Sequence, residues 1–320
     1  MVTGASGFVG VNLVRYLVDQ GWAVRAVDLE PPSVGCPVSV DHTIADVRDR
    51  PRMHEVFDGA DVVFHLAARI TLATHDAAAW DDNVRGPAVV ALAALEQGVG
   101  RLVHCSSVHA FDLSQAHPRL DEHTPRSTSG DRPIYDRSKA TGEAEVRKAV
   151  EHGLDAVVVN PTGIIGPIDH GPSRANGLLA SASRGRMPVV VGGGFDWVDV
   201  RDVVLGLVAA ADRGRTGESY LLGGHQASAL FLARMAGGMN GHLGPLVAVP
   251  SRVAEVFAPL GERVGRWFDT DNFTPASIGT LADHPIVDHA KASRELGYAP
   301  RPLEQTVGDL VRWFESDPGT

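Results

Sequence analysis

The chain has 320 residues, of which 44% are hydrophobic and 21% charged, and its formal net charge is −10 at pH 7. This composition is typical of a globular protein, and the acidic balance disfavours nonspecific binding to nucleic acid. No apolar run approaches the roughly 18–20 residues of a membrane span, and the N-terminal residues do not resemble a signal peptide. Two cysteines, Cys36 and Cys105, are too few for a disulfide framework and favour a cytoplasmic location.

Short apolar runs alternate with helical patterns through the first half of the chain. Buried strands rich in Val, Ala and Leu are expected at residues 23–27, 62–66, 102–105 and 156–159. Helices between them are expected at residues 8–20, 84–97 and 134–151. Asp131 is the expected cap of the last helix, with Pro133 in its first turn. This alternation predicts crossover connections and an α/β fold with a doubly wound parallel sheet.

The pattern changes after Pro161. Residues 166–194 are rich in Gly, Ser and Pro, and the alternation stops there. A strand at 197–200, a helix at 202–212 and a strand at 220–222 follow, and residues 230–320 read as helices and loops. We therefore predict a nucleotide-binding domain over residues 1–165, to which 197–224 return, and an interleaved smaller substrate-binding lobe over 166–320.

A glycine-rich motif opens the chain and joins a strand to an amphipathic helix. It runs Thr3-Gly4-Ala5-Ser6-Gly7-Phe8-Val9-Gly10. Glycines at this spacing permit a tight turn, close approach of the backbone to a pyrophosphate and close helix–strand packing. The motif predicts a dinucleotide site on a Rossmann-type sheet, with an unliganded glycine-rich loop as the alternative. Few residues precede Gly4, so either the numbering begins inside the first strand or that strand is unusually short.

Asp28 distinguishes between the two nicotinamide dinucleotides. It lies at the end of the second expected strand, 18 residues after Gly10. A carboxylate there can hydrogen-bond the adenosine ribose and would repel a 2′-phosphate. The residue therefore favours NAD over NADP, unless it is simply an acidic residue at a strand end.

Tyr135 and Lys139 lie four residues apart on an expected helix, so their side chains share one face. An adjacent ammonium group stabilises a phenolate and lowers its pKa, which would make Tyr135 a usable proton donor or acceptor. The chain has only three lysines, Lys139, Lys148 and Lys291. A surface pair is the alternative, but the scarcity of lysine makes a chance pairing less plausible.

Serine residues follow the strand that ends at Cys105. Ser106 and Ser107 place a hydroxyl at the C-terminal edge of the expected parallel sheet, where ligands bind in open α/β folds. A hydroxyl there can donate a hydrogen bond to a substrate carbonyl.

Several motifs occur in a characteristic order along the chain. They are Thr3-Gly-x-x-Gly-x-x-Gly10, Asp46-Val47, His65-Leu66-Ala67-Ala68, Asn83-Val84, Ser106-Ser107, Tyr135-x-x-x-Lys139 and Asn160-Pro161. This ordered set covers nearly the whole chain and resembles the extended short-chain dehydrogenase/reductase family, which includes NAD-dependent epimerases and dehydratases.

The resemblance implies site roles for individual residues. The implied catalytic residues are Ser107, Tyr135 and Lys139. The implied cofactor-binding residues are Gly4, Ser6, Gly7, Phe8, Val9, Gly10, Asp28, Asp46, Val47, Leu66, Ala67, Ala68, Tyr135, Lys139, Pro161, Thr162 and Gly163. Within that set, Asp46 and Val47 would flank the adenine, residues 66–68 and Lys139 the nicotinamide ribose, and the turn at 161–163 the nicotinamide.

The branch of the family is indicated by two departures from its sugar-nucleotide enzymes. Those enzymes typically carry an arginine where this chain has Phe195, and an Arg-Pro-Gly-Asp-like stretch that is missing before Lys291. What remains resembles the dihydroflavonol-reductase-like and 3β-hydroxysteroid-dehydrogenase-like branch. Aromatic residues of the lobe could line an apolar pocket, although more of them are expected in plain core: Trp197, Phe231, Phe257, Trp267 and Phe268.

The sequence thus predicts an NAD(H)-dependent oxidoreductase that interconverts a secondary alcohol and a ketone on a non-nucleotide small molecule. An NAD-dependent sugar-nucleotide epimerase or dehydratase and a non-catalytic dinucleotide sensor are the alternatives. No metal site is expected, and His109, His117 and His123 are expected to be solvated in a polar loop. A homodimer is expected because the family often pairs helices matching 84–97 and 134–151; Ala88, Ala91 and Ala94 would permit it but equally suit packing on the sheet.

Overall fold

The computed structural model describes residues 1–71, 73, 75–116, 119–171, 173–187, 189–242, 247–249 and 285–316. The strands in these residues are β1 (Val2–Thr3), β2 (Arg25–Asp28), β3 (Asp41–Ile44), β4 (Val62–His65), β5 (Arg101–Cys105), β6 (Arg119–Leu120), β7 (Ala156–Pro161), β8 (Gly163–Ile165), β9 (Val189–Val191), β10 (Gly194–Asp199), β11 (Ser219–Leu222), β12 (His225–Ser228), β13 (Val247–Val249) and β14 (Ile286–Val287). The helices are α1 (Phe8–Asp19), α2 (Arg50–Phe57), α3 (Ala77–Glu96), α4 (Ile134–Glu151), α5 (Arg174–Ser183), α6 (Val200–Arg213), α7 (Ala229–Met239), α8 (Ala290–Leu296) and α9 (Leu303–Ser316).

Seven of the described strands form one parallel sheet in the order β11-β7-β5-β4-β1-β2-β3. The chain winds outward in one direction from β1 to β3 and in the other from β4 to β11. The strand order therefore reverses between β1 and β4, and ligands of open α/β sheets bind at the carboxyl ends of strands beside such a reversal. The predicted doubly wound Rossmann-type sheet is confirmed.

Hydrophobic cores cover both faces of this sheet. On one face α1, α6 and α8 bury apolar side chains, among them Leu13, Leu207 and Leu296, against the strands. On the other face α2, α3 and α4 do the same with Phe57, Val90 and Val146. Strands buried on both faces need apolar side chains in both directions, which explains the continuous Val- and Ala-rich runs in the sequence.

A smaller sheet and a separate helical layer lie beyond β7. The small sheet has the order β12-β10-β8, and α5, α7 and α9 pack together through a third core that includes Leu179, Leu232 and Phe314. Helix α6 and strand β11 return to the large sheet, whereas residues 197–199 pair within the small one. Within residues 197–224, the part up to Asp199 pairs in the small sheet, α6 packs on the large sheet and β11 pairs in it.

Local signals located some elements better than others. Helix α4 has the predicted bounds, but Pro133 occupies its cap position without a side-chain cap, so the prediction of Asp131 as cap is wrong. Helix α3 begins at Ala77 rather than at residue 84, because Asp76 accepts a hydrogen bond from the Ala79 amide and an alanine run of high helix propensity follows. Within the described ranges no helix combines the length and apolar character of a bilayer span.

Candidate active site

The glycine-rich turn is held by close contacts between backbone segments. Gly4 has φ +72°, and a Cβ atom there would lie 2.5 Å from the Ala67 amide nitrogen. A Cβ on Gly10 would lie 2.1 Å from the Gly4 carbonyl oxygen. Gly7 is different, since it is exposed at the start of α1 and its Cβ would meet nothing closer than 3.4 Å. Gly4 and Gly10 therefore shape the turn, and Gly7 leaves the helix N-terminus open to a phosphate.

Asp28 lies beside this turn, at the end of β2. Its Oδ2 accepts a hydrogen bond from the Ser6 amide at 2.8 Å, and its Oδ1 accepts one from the Glu30 amide at 3.1 Å. The side chain is half-buried, and these two bonds fix its orientation. Each carboxylate oxygen can accept a further hydrogen bond, so the group remains able to bind ribose hydroxyls.

Asp46 lies just beyond β3, at the edge of the sheet where the resemblance implies the adenine. Its carboxylate accepts hydrogen bonds from Arg48 at 3.0 and 2.6 Å, and Arg48 also bonds Asp81 on α3. The hydrogen bond from Arg48 lowers the pKa of Asp46. Val47 packs partly buried against the core behind this pair. Sequence reasoning did not single out Arg48, which lies only two residues from an expected site residue.

Residues 66–68 follow β4 and run against the glycine turn. Asn83 on α3 holds the next residue along: its Oδ1 accepts from the Arg69 amide at 2.8 Å and its Nδ2 donates to the Arg69 carbonyl at 2.9 Å. The Nδ2 group also donates to Ser138 Oγ on α4 at 3.0 Å. Residues 66–68 therefore lie against the glycine-rich turn, and Asn83 links the following residue to the helix that carries Tyr135.

The three implied catalytic residues meet at the C-terminal edge of β5. Ser107 is 8% exposed, and its hydroxyl interacts with the Tyr135 hydroxyl while accepting a hydrogen bond from the His109 amide at 3.2 Å. Lys139 is 3% exposed and donates from Nζ to the Cys105 carbonyl at 3.1 Å. Tyr135 and Lys139 share one face of α4, as their spacing predicted.

The pKa of Tyr135 is shifted in the opposite direction to the one that its spacing from Lys139 predicts. Burial raises the pKa of Tyr135 well above its ordinary value, and the interaction with Ser107 only partly opposes this. The lowering expected from Lys139 is therefore not found in this structure. Burial also lowers the pKa of Lys139 itself, against the opposing effects of Cys105 and Glu143. Each group is thus shifted towards its neutral form.

The turn that the resemblance places beside the nicotinamide joins β7 to β8. Pro161 ends β7, Thr162 is 7% exposed and Gly163 begins β8. A Cβ on Gly163 would lie 2.5 Å from Phe195 Cδ1. Only glycine lets the turn approach the aromatic side chains of the small sheet this closely.

An aromatic stripe extends from Tyr135 to the small sheet. It consists of Tyr135, His109, Phe195 and Trp197, whose successive ring centroids are 5.8, 5.9 and 5.5 Å apart. The His109 ring stacks on Phe195 at an interplanar angle of 19°, and its Nδ1 lies 3.2 Å from Asp136 Oδ1. The stripe thus begins at one of the implied catalytic residues and continues through Phe195 to Trp197.

His109 corrects a sequence expectation. Its side chain is 17% exposed and contacts Tyr135, so it is not a solvated loop histidine. Its position two residues after Ser107 was the available signal. His123 is exposed, as expected, whereas His117, Phe257, Trp267 and Phe268 lie outside the described residues. No group of three or more His, Cys, Asp or Glu side chains in the described part of the chain could hold a metal ion.

This chain is similar to one protein family and to several known proteins. A model of the NAD-dependent epimerase/dehydratase family matches residues 1–223. "Sterol demethylase protein B" of Methylococcus capsulatus is 33% identical over 98% of this chain and 97% of its own. A "putative dihydroflavonol 4-reductase" of Synechocystis is 32% identical over 98% of this chain and 94% of its own. The crystal structure of gox2253 is 32% identical, covers 100% of this chain and 98% of its own, and superimposes with a TM-score of 0.85.

Proposed function

Since the chain belongs to the NAD-dependent epimerase/dehydratase family, we propose that it is an NAD(H)-dependent oxidoreductase interconverting a secondary alcohol and a ketone. The proposed substrate is a non-nucleotide, partly apolar small molecule. The observation that carries this proposal is the meeting of Ser107, Tyr135 and Lys139 at the sheet edge, directly beside the aromatic stripe.

The residues present suit a nicotinamide dinucleotide. A Cβ atom at Gly4 or Gly10 would clash with the neighbouring backbone, so the turn stays compact. The exposed Gly7 leaves the N–H groups at the start of α1 accessible to a pyrophosphate. Asp28 would bind the adenosine ribose, and its charge supports NAD rather than NADP. When bound, the nicotinamide accepts or returns a hydride at its C4.

Three side chains of the protein would move the substrate proton and bind the substrate oxygen. Tyr135 would take the proton from the alcohol, or return it to the ketone oxygen. Ser107 would hold the same oxygen through its hydroxyl. Lys139, which lies one turn of α4 from Tyr135 and donates to the Cys105 carbonyl, would bind the nicotinamide ribose and favour the phenolate once the site is filled.

The aromatic stripe supports the substrate class. Aromatic faces bind flat apolar rings well, whereas the diphosphate of a sugar nucleotide calls for cationic donors. Phe195 is 6% exposed and stacked on His109, at the position where the sugar-nucleotide enzymes of the family typically carry arginine. The names of the two relatives above refer to a sterol and a dihydroflavonol, neither of which is a sugar nucleotide.

Net reduction of NAD distinguishes this proposal from the epimerase or dehydratase alternative. We expect the purified protein to reduce NAD stoichiometrically with one or more cyclic secondary alcohols, including hydroxysteroids, in an absorbance assay for NADH. The alternative instead predicts tightly held NAD, no net NADH release, and protection from thermal unfolding by UDP- or dTDP-sugars. A sensor would turn over no alcohol or ketone at all.

A homodimer and a cytoplasmic location remain proposals. Ala91 and Ala94 are fully buried in the core beneath α3, so they pack on the sheet and are not available to a partner, while Ala88 is half-buried. We expect a mass in solution near twice the 33.9 kDa of one chain. A monomeric mass at micromolar concentration would exclude the dimer.

A further inference from the structure

Behind the catalytic residues lies a buried carboxylate that the proposed reaction does not use. Glu143 is 1% exposed and occupies the same face of α4 as Tyr135 and Lys139, at successive four-residue intervals. A charged group this deeply buried is costly unless its oxygens are paired and hydrogen-bonded. Its partners therefore indicate what it does.

One oxygen of Glu143 faces the main chain that carries the catalytic serine. Its Oε1 accepts a hydrogen bond from Asn160 Nδ2 at 2.6 Å, and the same Nδ2 group donates to the Ser107 carbonyl at 2.9 Å. Asn160 is fully buried at the end of β7. The Asn160 amide on β7 therefore connects the Glu143 carboxylate to the main chain of Ser107, just beyond the neighbouring strand β5.

The other oxygen is held by two arginines. Glu143 Oε2 accepts from Arg126 Nε at 2.7 Å and from Arg147 at 3.2 Å, and both arginines also donate to Ser219 Oγ. Burial alone would raise the pKa of Glu143, but Arg126 and Asn160 outweigh it and lower that pKa. Glu143 is therefore anionic at neutral pH.

The groups around Lys139 make this negative charge important. Burial and the positive charge of Lys139 lower the pKa of both His65 and His104, so both rings stay neutral and neither supplies a negative charge to stabilise the Lys139 ammonium. Cys105, whose thiol has a pKa raised to about 11 by burial, is also neutral at pH 7. Glu143 opposes the lowering of the Lys139 pKa by burial.

We infer that Glu143 is a positioning residue of the catalytic site, which fixes the Ser107 main chain through Asn160 and places a buried negative charge one helical turn from Lys139. The activity part of this inference rests on the proposed oxidoreductase function. The charge part does not, because the protonation of Lys139 can be measured without turnover.

The first test is a direct titration of Lys139. With ¹³C-labelled lysine the protein has three side-chain signals to assign, using Lys148→Arg and Lys291→Arg variants. In Glu143→Gln we expect the Lys139 midpoint to fall by about 1 unit or more relative to wild type. The matched control is Glu218→Gln, which removes the carboxylate paired with Lys291 at 2.6 Å and should leave the Lys139 midpoint unchanged. An unaltered Lys139 midpoint in Glu143→Gln would overturn the charge role.

The second test separates charge from geometry in the reaction. Glu143→Gln should lower kcat about 10-fold or more and move the alkaline limb of its pH profile to lower pH. Asn160→Ser keeps the charge but breaks the link to Ser107, so it should lower kcat with the alkaline limb in place. The KM for NAD should change little in either variant. Wild-type kcat in Asn160→Ser would overturn the geometric role.

Two further outcomes are distinguished: failure of a variant to fold, and failure of the proposed function itself. If Glu143→Gln does not fold by circular dichroism, Glu143→Asp keeps the charge but shortens the reach to Asn160, and should reproduce the Asn160→Ser phenotype; full activity there would contradict the inference. If wild type turns over no alcohol or ketone, the proposed function fails, and the titration of Lys139 still decides the charge role.

Discussion

The glycine-rich turn proposed to bind the dinucleotide and the sheet edge proposed to be catalytic are built differently. The turn between β1 and α1 is shaped by backbone contacts. A Cβ atom added at Gly4 or at Gly10 would lie 2.5 Å or less from a backbone atom of a neighbouring segment. The edge at Ser107 is shaped by buried side chains, and the carboxylate of Glu143 lies at its base. Backbone geometry is vulnerable to added atoms, whereas a buried polar network is vulnerable to lost partners and changed charges.

Removing the Tyr135 hydroxyl should have the largest effect on the catalytic edge. Tyr135→Phe keeps the ring against His109 but removes the proton donor and acceptor, so turnover should fall about 100- to 10,000-fold. NAD affinity, measured by calorimetry, should stay within a few fold of wild type because the turn is untouched. Retained turnover would mean that another group moves the proton.

Acid should destabilise the side-chain region beneath that edge. His65 is fully buried with its pKa lowered to about 3 by burial and by Lys139, and His104 is shifted the same way. The unfolded chain binds these protons from about pH 6.5 downward and the folded chain does not, so stability is lost as pH falls from 6.5 towards 3. His65 alone should cost about 2 kcal/mol of unfolding free energy by pH 5.

Urea unfolding at pH 7, 6 and 5 would measure this loss. The variant His104→Phe should flatten the pH dependence while keeping ring stacking against His65, whose centroid lies 5.2 Å away. The exposed His123→Phe serves as the control and should leave the slope unchanged. An identical slope in the His104 variant would show that this ring is not the acid-sensitive group.

An added methyl group should break the turn. Gly10→Ala places a Cβ 2.1 Å from the Gly4 carbonyl oxygen and should cost about 1–3 kcal/mol of unfolding free energy, with loss of NAD binding. In Gly7→Ala the new Cβ has ordinary contacts, so unfolding should change by less than about 1 kcal/mol while NAD binding still weakens. Equal stability losses in the two variants would contradict the division of roles between these glycines.

Neutralising Asp28 should have the smallest effect. Asp28→Asn removes the charge expected to repel a 2′-phosphate, so the kcat/KM preference for NAD over NADP should fall about 10-fold. An Asn side-chain oxygen can still accept from the Ser6 amide, as Asp28 does at 2.8 Å, and only the exposed bond from the Glu30 amide at 3.1 Å is lost, so stability should fall by about 1 kcal/mol or less. An unchanged preference would assign discrimination to another residue near the ribose.

Local sequence determined much of this protein. The glycine motif, the buried strand runs and the face shared by Tyr135 and Lys139 depend on residues close together in the chain, and the structure has each of them. The ordered motifs were also sufficient to identify the family, because each motif keeps its own strand–turn–helix context. Periodicity and glycine spacing express local backbone requirements, which is why they can be read without the fold.

Only the tertiary structure decided the surroundings of the Ser107 and Tyr135 hydroxyls. It packed His109 against Phe195, brought Asn160 to both Ser107 and Glu143, and placed Tyr135 where burial raises its pKa instead of letting it fall. These contacts join side chains up to 86 residues apart, such as His109 and Phe195, and leave no periodic trace in the sequence. Burial and pairing of polar groups are properties of the packed chain, and the chemistry of this edge depends on them.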